Sequence, residues 1–108
     1  MAMFPCPSLG VTVELTDERR QHILLQHPDF LPTYFMQLAE TFADPDKVRR
    51  DPRFPATHLF AHWFENVKGG KFVVVTVVAD PPSQERHWIV TAYIARKLVQ
   101  GVVEWKRN

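Results

Sequence analysis

The chain has 108 residues, 45% apolar and 12% aromatic, which suffices for one domain with a core and not for two. This composition excludes a disordered chain, and the single cysteine, Cys6, excludes a disulfide scaffold and fits a reducing cytosol. Thirteen Lys and Arg against twelve Asp and Glu give a net charge of +1, which disfavours a broad basic surface but leaves room for a local cluster of cations.

No segment is expected to cross or enter a membrane. The longest largely apolar run, residues 72–79, is far shorter than the ~20 residues that span a bilayer. The first ten residues contain two prolines and no basic region before an apolar stretch, so we expect no secretory signal there. We therefore expect one cytoplasmic domain, residues 1–108, in which residues 1–10 form an extended lead-in because proline disfavours helix in its neighbours.

The first half of the chain predicts a short strand and two helices. Residues 11–15 alternate apolar and polar side chains, which is typical of a half-buried strand. Thr16 stands where an N-cap belongs, so a helix follows and ends near His27, before Pro28. Residues 31–43 carry apolar side chains at three- and four-residue steps, which predicts a second, amphipathic helix.

The second half predicts strands. The expected strands are a short edge strand at 47–50, longer ones at 57–64, 72–79 and 87–96, and a last short one at 102–105. The paired glycines at 69–70 predict a hairpin turn. Because strands joined by short turns pair antiparallel, the predicted fold class is α+β, with an N-terminal helix pair packed on one antiparallel β-sheet.

The first predicted helix carries candidate catalytic residues. Arg19 lies three residues before His22, so both side chains can converge on one ligand. Histidine moves protons near neutral pH and arginine binds phosphate, a pair that suits phosphodiester chemistry; a solvated helix face is the alternative. His27 lies near the helix end, where an imidazole can interact with the unpaired backbone carbonyls or take part in catalysis.

The last long strand carries hydroxyl groups. Strict alternation would place Thr91 and Tyr93 on one face together with His87 and Ile89. Hydroxyls can bind phosphate oxygens and a phenol can serve as an acid or base, although threonine and tyrosine also pack well across strands. Arg96 and Lys106 could add positive charge at one end of the sheet for a ligand, or they could be ordinary solvated side chains at its edge.

A metal site is the less favoured interpretation of the remaining histidines. His58 and His62 are four residues apart, but on a strand they share a face, and two imidazoles are too few for a closed zinc site. Cys6, His87 or a carboxylate could complete such a site, although no spacing requires it. We expect no metal and no cofactor, and Cys6, flanked by prolines, is a poor position for a nucleophile.

Motifs along the chain resemble a known family. They are residues 14–23, 27–29, 42–46, 48–50, 69–75, 89–93 and 101–105. Together they resemble phage- and cyanobacteria-associated proteins, sometimes called PBECR domains, of the barnase, colicin and RelE-like nuclease superfamily. The resemblance implies a RelE/barnase-like fold, a toxin-like ribonuclease activity that needs no metal, and a cognate antitoxin or immunity protein as partner.

The resemblance also assigns roles to residues. Arg19 and His22 match its helix motif, Thr91 and Tyr93 match its late-strand motif, and His27 matches its His-Pro motif. The predicted reaction is attack of a ribose 2′-hydroxyl on phosphorus. In it His22 and Tyr93 act as acid and base, Arg19 stabilises charge and Thr91 orients a phosphate oxygen. His27, Arg96 and Lys106 are the expected RNA-binding residues.

A second hypothesis is a catalytically inactive module that binds RNA or a protein. Three tryptophans and two phenylalanines could supply an exposed apolar patch for a homodimer: Trp63, Trp88, Trp105, Phe60 and Phe64. Growth inhibition on expression would distinguish an active ribonuclease from such a module.

Overall fold

Seven strands and two helices make up the described part of the chain, which in the computed structural model comprises residues 2–51, 53–54, 56–79, 86–98 and the backbone of 102–106. The strands are β1 Ala2–Cys6, β2 Val11–Leu15, β3 Lys47–Arg50, β4 Thr57–Phe64, β5 Lys71–Ala79, β6 His87–Ala95 and β7 Val102–Lys106. The helices are α1 Asp17–Gln26 and α2 Phe35–Ala43.

All seven strands form one mixed sheet in the order β1-β2-β6-β5-β4-β3-β7. Neighbouring strands are antiparallel except β2 and β6, which run parallel and pair only at Val13 with His87 and Glu14 with Trp88. Beyond Trp88, β6 therefore has no strand on its β2 side within the described residues. Helix α1 lies along this part of β6.

The predicted RelE/barnase-like fold, a helix pair on one antiparallel sheet, is wrong. The fold is mostly β, and the two short helices pack on different strands, α1 on β6 and α2 on β1, β4 and β5. The sheet is mixed because β2 pairs parallel with β6, and residues 2–6, expected as a lead-in, form β1 in a hairpin before the first helix. Pro5 is compatible with this position because β1 is an edge strand, where a missing N–H breaks no ladder.

The helix starts and ends follow local chemistry. As predicted, Thr16 caps α1, its Oγ1 accepting the Arg19 backbone N–H at 3.2 Å, and α1 ends just before His27. Helix α2 begins at Phe35 and not at residue 31, because turns occupy residues 28–34. Neither helix of the described chain is long and apolar enough to cross a membrane.

The core lies on one face of the sheet, under both helices. Helix α1 contributes Ile23 and α2 contributes Leu38 and Phe42, all fully buried. Phe42 packs edge-on against Phe60 of β4, with ring centroids 5.4 Å apart. Phe60 therefore marks the core face of β4, and the alternate residues of β4 belong to the opposite face.

A β-bulge in β6 changes which residues share a face. Thr76 of β5 pairs with Thr91, but the next residue, Val77, pairs with Ile89, so Val90 is an extra residue in β6. The alternation shifts by one residue at this point. Thr91 therefore lies on the face opposite the core, whereas Ile89 is fully buried in the core. The prediction that His87 and Ile89 share a face with Thr91 and Tyr93 is wrong for this reason.

Candidate functional site

The hydroxyl residues predicted from the last long strand, Thr91 and Tyr93, lie on the face of the sheet opposite the core. This face is called the open face. Thr91 pairs with Thr76 and Tyr93 pairs with Val74, so both project from the same side of β6, next to β5. Both side chains are half-buried. The Thr91 Oγ1 is buried and has no hydrogen-bond partner among the described residues. A buried hydroxyl without a partner is unusual in a folded protein, which makes Thr91 a candidate site residue.

Arg49 of β3 lies on this same open face. Arg49 pairs with Leu59, Leu59 with Thr76, and Thr76 with Thr91. Arg49 and Thr91 therefore stand at the two ends of one row of residues that crosses four strands. The Arg49 side chain is only 5% exposed. Burial lowers the pKa of its guanidinium, and the Tyr93 phenol acts in the opposite direction. The Arg49 guanidinium therefore lies near enough to the Tyr93 phenol for the two groups to interact.

Sequence reasoning overlooked Arg49. Residues 47–50 are a strand as predicted, but β7 pairs with their outer side, so β3 is not an edge. The available signal was the alternation within β3: Val48 enters the core at 3% exposure, and its neighbours Lys47 and Arg49 must face the other way. Lys47 adds a half-buried second cation to the open face.

His27 approaches the open face from the end of α1. Its backbone N–H donates to the Ile23 carbonyl and closes the helix, while its ring lies 5.8 Å, centroid to centroid, from the Tyr93 ring at 33°. His27 thus caps the helix through its backbone, and its imidazole is free to contact the phenol. Titratable rings that touch are suited to exchange protons with a common substrate.

Arg19 holds α1 against the edge of the sheet. Its Nε donates to the carbonyl of Val90, the extra residue of the bulge, at 2.9 Å, and its Nη1 lies 3.5 Å from the Glu18 carboxylate. This bond satisfies a carbonyl on the edge that no strand pairs. The guanidinium is therefore engaged in positioning α1, whereas Arg49 is a cation that interacts with the Tyr93 phenol.

His22 lies between Arg19 and His27 along α1 and is half-buried. It makes no hydrogen bond, ion pair or ring contact with another described residue. The structure thus brings His27, Tyr93, Thr91 and Arg49 to one face, and leaves His22 beside them. Of the predicted RNA-binding cations, Arg96 is exposed just after β6, and the Lys106 side chain lies outside the described residues.

A pocket of about 220 Å³ adjoins His27 on the other side of β6. Ile94, which alternates with Tyr93, lines it together with Phe30. Lys68 donates to the Asp29 carboxylate at 3.3 Å beside this pocket and ties the β4–β5 turn to the segment after α1. This pocket therefore does not belong to the open face.

The other histidines lie on the core side of the sheet. His62 Nδ1 contacts the Asp44 carbonyl and lies 3.7 Å from the Asp46 carboxylate. His58 is close enough to His87 to lower the His87 pKa, although burial is the larger cause. No group of three or more His, Cys, Asp or Glu side chains arranged to hold a metal occurs among the described residues.

The remaining candidates are buried or partly exposed. Cys6 is 1% exposed and burial raises the pKa of its thiol, which agrees with the expectation that it is not a nucleophile. Phe60 and Phe64 are buried at 0% and 8% exposure, so they cannot join an apolar surface patch. Trp63 is 40% exposed, and the side chain of Trp105 lies outside the described residues.

Comparisons with known proteins add no relative. No family model matches the chain, and no curated protein or solved structure matches it significantly. The motif resemblance to the barnase, colicin and RelE-like superfamily therefore stays a prediction.

Proposed function

We propose that the chain is a metal-independent ribonuclease whose site is the open face at Tyr93. One observation carries the proposal: the same face of the sheet holds a buried guanidinium (Arg49), a hydroxyl without a partner among the described residues (Thr91), and a phenol beside an imidazole (Tyr93 and His27). These are the groups that phosphodiester transfer requires. Such a set supplies proton transfer, charge stabilisation and orientation without a metal.

His27 and Tyr93 perform the proton transfers in this proposal. The imidazole of His27 takes the proton of the ribose 2′-hydroxyl as the 2′-oxygen bonds to phosphorus. The bond from phosphorus to the 5′-oxygen breaks, and the phenol of Tyr93 gives its proton to that oxygen. The products are a 2′,3′-cyclic phosphate and a 5′-hydroxyl, and the imidazolium then returns its proton to the phenolate. Each such transfer contributes roughly 10²–10⁴-fold to the rate.

Arg49 and Thr91 act on the phosphate oxygens. Arginine keeps its charge even with a lowered pKa, so Arg49 stabilises the negative charge that grows on the pentacoordinate phosphorus. The buried Thr91 hydroxyl donates to one non-bridging oxygen and fixes its orientation. Arg19, bonded to Val90, keeps α1 and therefore His27 at the site.

Two variants test which histidine, His27 or His22, is the general base. His27→Gln should reduce cleavage of single-stranded RNA in the presence of EDTA by roughly 100-fold or more, since it removes the proton acceptor next to Tyr93. His22→Gln should have a much smaller effect if His27 is the base, and the opposite ranking would assign this role to His22. The rates are measured from the 2′,3′-cyclic phosphate product, identified by mass spectrometry.

His62→Gln is the matched control, because this imidazole lies on the core side of β4. It should cleave at the wild-type rate. Loss of cleavage on addition of EDTA, or a folded wild-type protein that binds RNA without cleaving it, would contradict the proposal. The second result would instead favour the inactive binding module.

A further inference from the structure

Trp63 is a large aromatic residue that stays exposed near the end of β4, next to the β4–β5 turn. It belongs to β4 and alternates with Phe60 and Phe64, so it projects from the open face. Its exposure of 40% contrasts with that of Ala61, its neighbour two positions earlier on the same face, which is fully buried. An exposed indole beside a candidate site is a surface that a ligand can cover.

The indole of Trp63 is held in place from several sides. Its ring packs edge-on against Phe72 of β5, with centroids 5.0 Å apart. Its backbone N–H donates to the Asp46 carboxylate at 2.6 Å. Gly70 lies under the ring so closely that a Cβ there would be 2.8 Å from Cζ2. The ring is therefore preorganised, which lowers the entropic cost of stacking a ligand on it.

Trp63 lies next to the proposed reacting group. Trp63 pairs with Phe72 across β4 and β5. The neighbouring row of Ala61, Val74 and Tyr93 on this face lies two residues away along the strands. Two residues of a strand span about 7 Å, and β4 and β6 are two strand spacings, about 10 Å, apart. A base within a nucleotide or two of a phosphate held at Tyr93 can reach the indole over such distances.

Among the described residues, two cations lie on the rows of the proposed site. Lys47 stands at the far end of the row of Tyr93, and Arg49 at the far end of the row of Thr91. Two phosphate contacts give a slope of only about −1.4 in log affinity against log salt for a single strand. A chain of net charge +1 therefore needs a second source of affinity for RNA, and stacking on an aromatic ring supplies one.

We infer that Trp63, supported by Phe72, is a stacking site for an unpaired base of single-stranded RNA next to the phosphate bound at Tyr93. The inference rests on the proposed function, since it defines the substrate of that site as single-stranded. A duplex cannot use the site, because its bases are stacked on one another and their faces are inaccessible.

The test measures binding of a fluorescently labelled 2′-O-methyl oligonucleotide to the full chain by anisotropy. The methyl group removes the nucleophile, so binding is measured without cleavage. Trp63→Phe keeps an aromatic ring and should bind within about threefold of wild type, whereas Trp63→Leu should bind roughly 5- to 150-fold more weakly. Leu25→Ala, on the exposed side of α1, is the control and should not change affinity.

Either of two results would overturn the stacking site. One is a Trp63→Leu variant that binds like Trp63→Phe; the other is a duplex that binds as tightly as the single strand. A change of Trp63→Leu from dimer to monomer in size-exclusion chromatography, with RNA affinity unchanged, would assign the indole to a second copy of the chain. Trp63-dependent binding without cleavage of unmodified RNA would contradict only the nuclease proposal, and cleavage with Trp63-independent binding would contradict only the stacking site.

Discussion

His87 shows how a single buried imidazole can make the stability of this fold depend on pH. Its side chain is 7% exposed and its Nδ1 has no hydrogen-bond partner among the described residues. Burial, with a smaller contribution from His58, lowers its pKa from the ordinary 6.5. The unfolded chain therefore binds a proton at a pH at which the folded chain does not.

The sign of the effect follows from this difference in proton binding. The contribution of His87 to the free energy of unfolding is fully present above its unfolded pKa of about 6.5. It is lost as the pH decreases through the lowered pKa of the folded state. Urea unfolding at about pH 7.5 and about pH 5.5 should show a larger loss of unfolding free energy for wild type than for His87→Leu, which cannot titrate. Equal losses in the two proteins would show that His87 does not cause the pH dependence.

The two glycines of the β4–β5 turn differ in what surrounds them. Both have positive φ, +77° at Gly69 and +107° at Gly70, but only at Gly70 would a Cβ meet Trp63. Gly69→Ala should cost about 1 kcal/mol from the left-handed backbone. Gly70→Ala should cost more, because its φ is less accessible to alanine and the indole must move.

Urea unfolding monitored by tryptophan fluorescence measures both effects of these glycine substitutions. Gly70→Ala should also change the fluorescence of the folded protein, and Gly69→Ala should not. A cost at Gly70 equal to or below that at Gly69 would mean that the ring does not rest on this turn.

At the scale of elements, α1 packs against β6, the strand that β2 pairs with only at its start. The bond from Arg19 to the Val90 carbonyl is the polar contact in this arrangement. Arg19→Met keeps the aliphatic stem and should reduce the unfolding free energy by about 1 kcal/mol. Hydrogen exchange of the α1 amides should also become faster, since the helix loses this attachment.

Gln21→Met is the control for the attachment of α1. Gln21 lies on the exposed side of the same helix. This variant should leave exchange of the α1 amides near the wild-type rate. The same acceleration in both variants would indicate a general loss of helix stability and not a lost edge contact.

Local signals in the sequence predicted most elements but not their faces. The cap at Thr16 and the alternation of β2 and β4 depend on neighbours in the chain, and these predictions are confirmed. The bulge at Val90 is different, because only pairing with β5 makes this residue extra. Strand β1 was missed because Pro5 is unfavourable in a strand unless the strand lies at an edge.

At the scale of the whole molecule, the strand order was inaccessible to sequence reasoning. Short turns predicted that β4, β5 and β6 pair antiparallel, which is correct. The parallel contact of β2 with β6 and the pairing of β7 with β3 join segments distant in the chain. The sequence therefore identified Thr91 and Tyr93 as neighbours on one strand, whereas only the complete sheet brings Arg49 to them.

The claim that the open face cleaves RNA is tested most directly by removing one oxygen atom. Tyr93→Phe keeps the ring that contacts His27 and deletes the proposed acid. With EDTA present, wild type should convert single-stranded RNA to 2′,3′-cyclic phosphate products, and Tyr93→Phe should do so at least about 100-fold more slowly. Equal rates in the two proteins, or no cleavage by folded wild type, would contradict this account of the site.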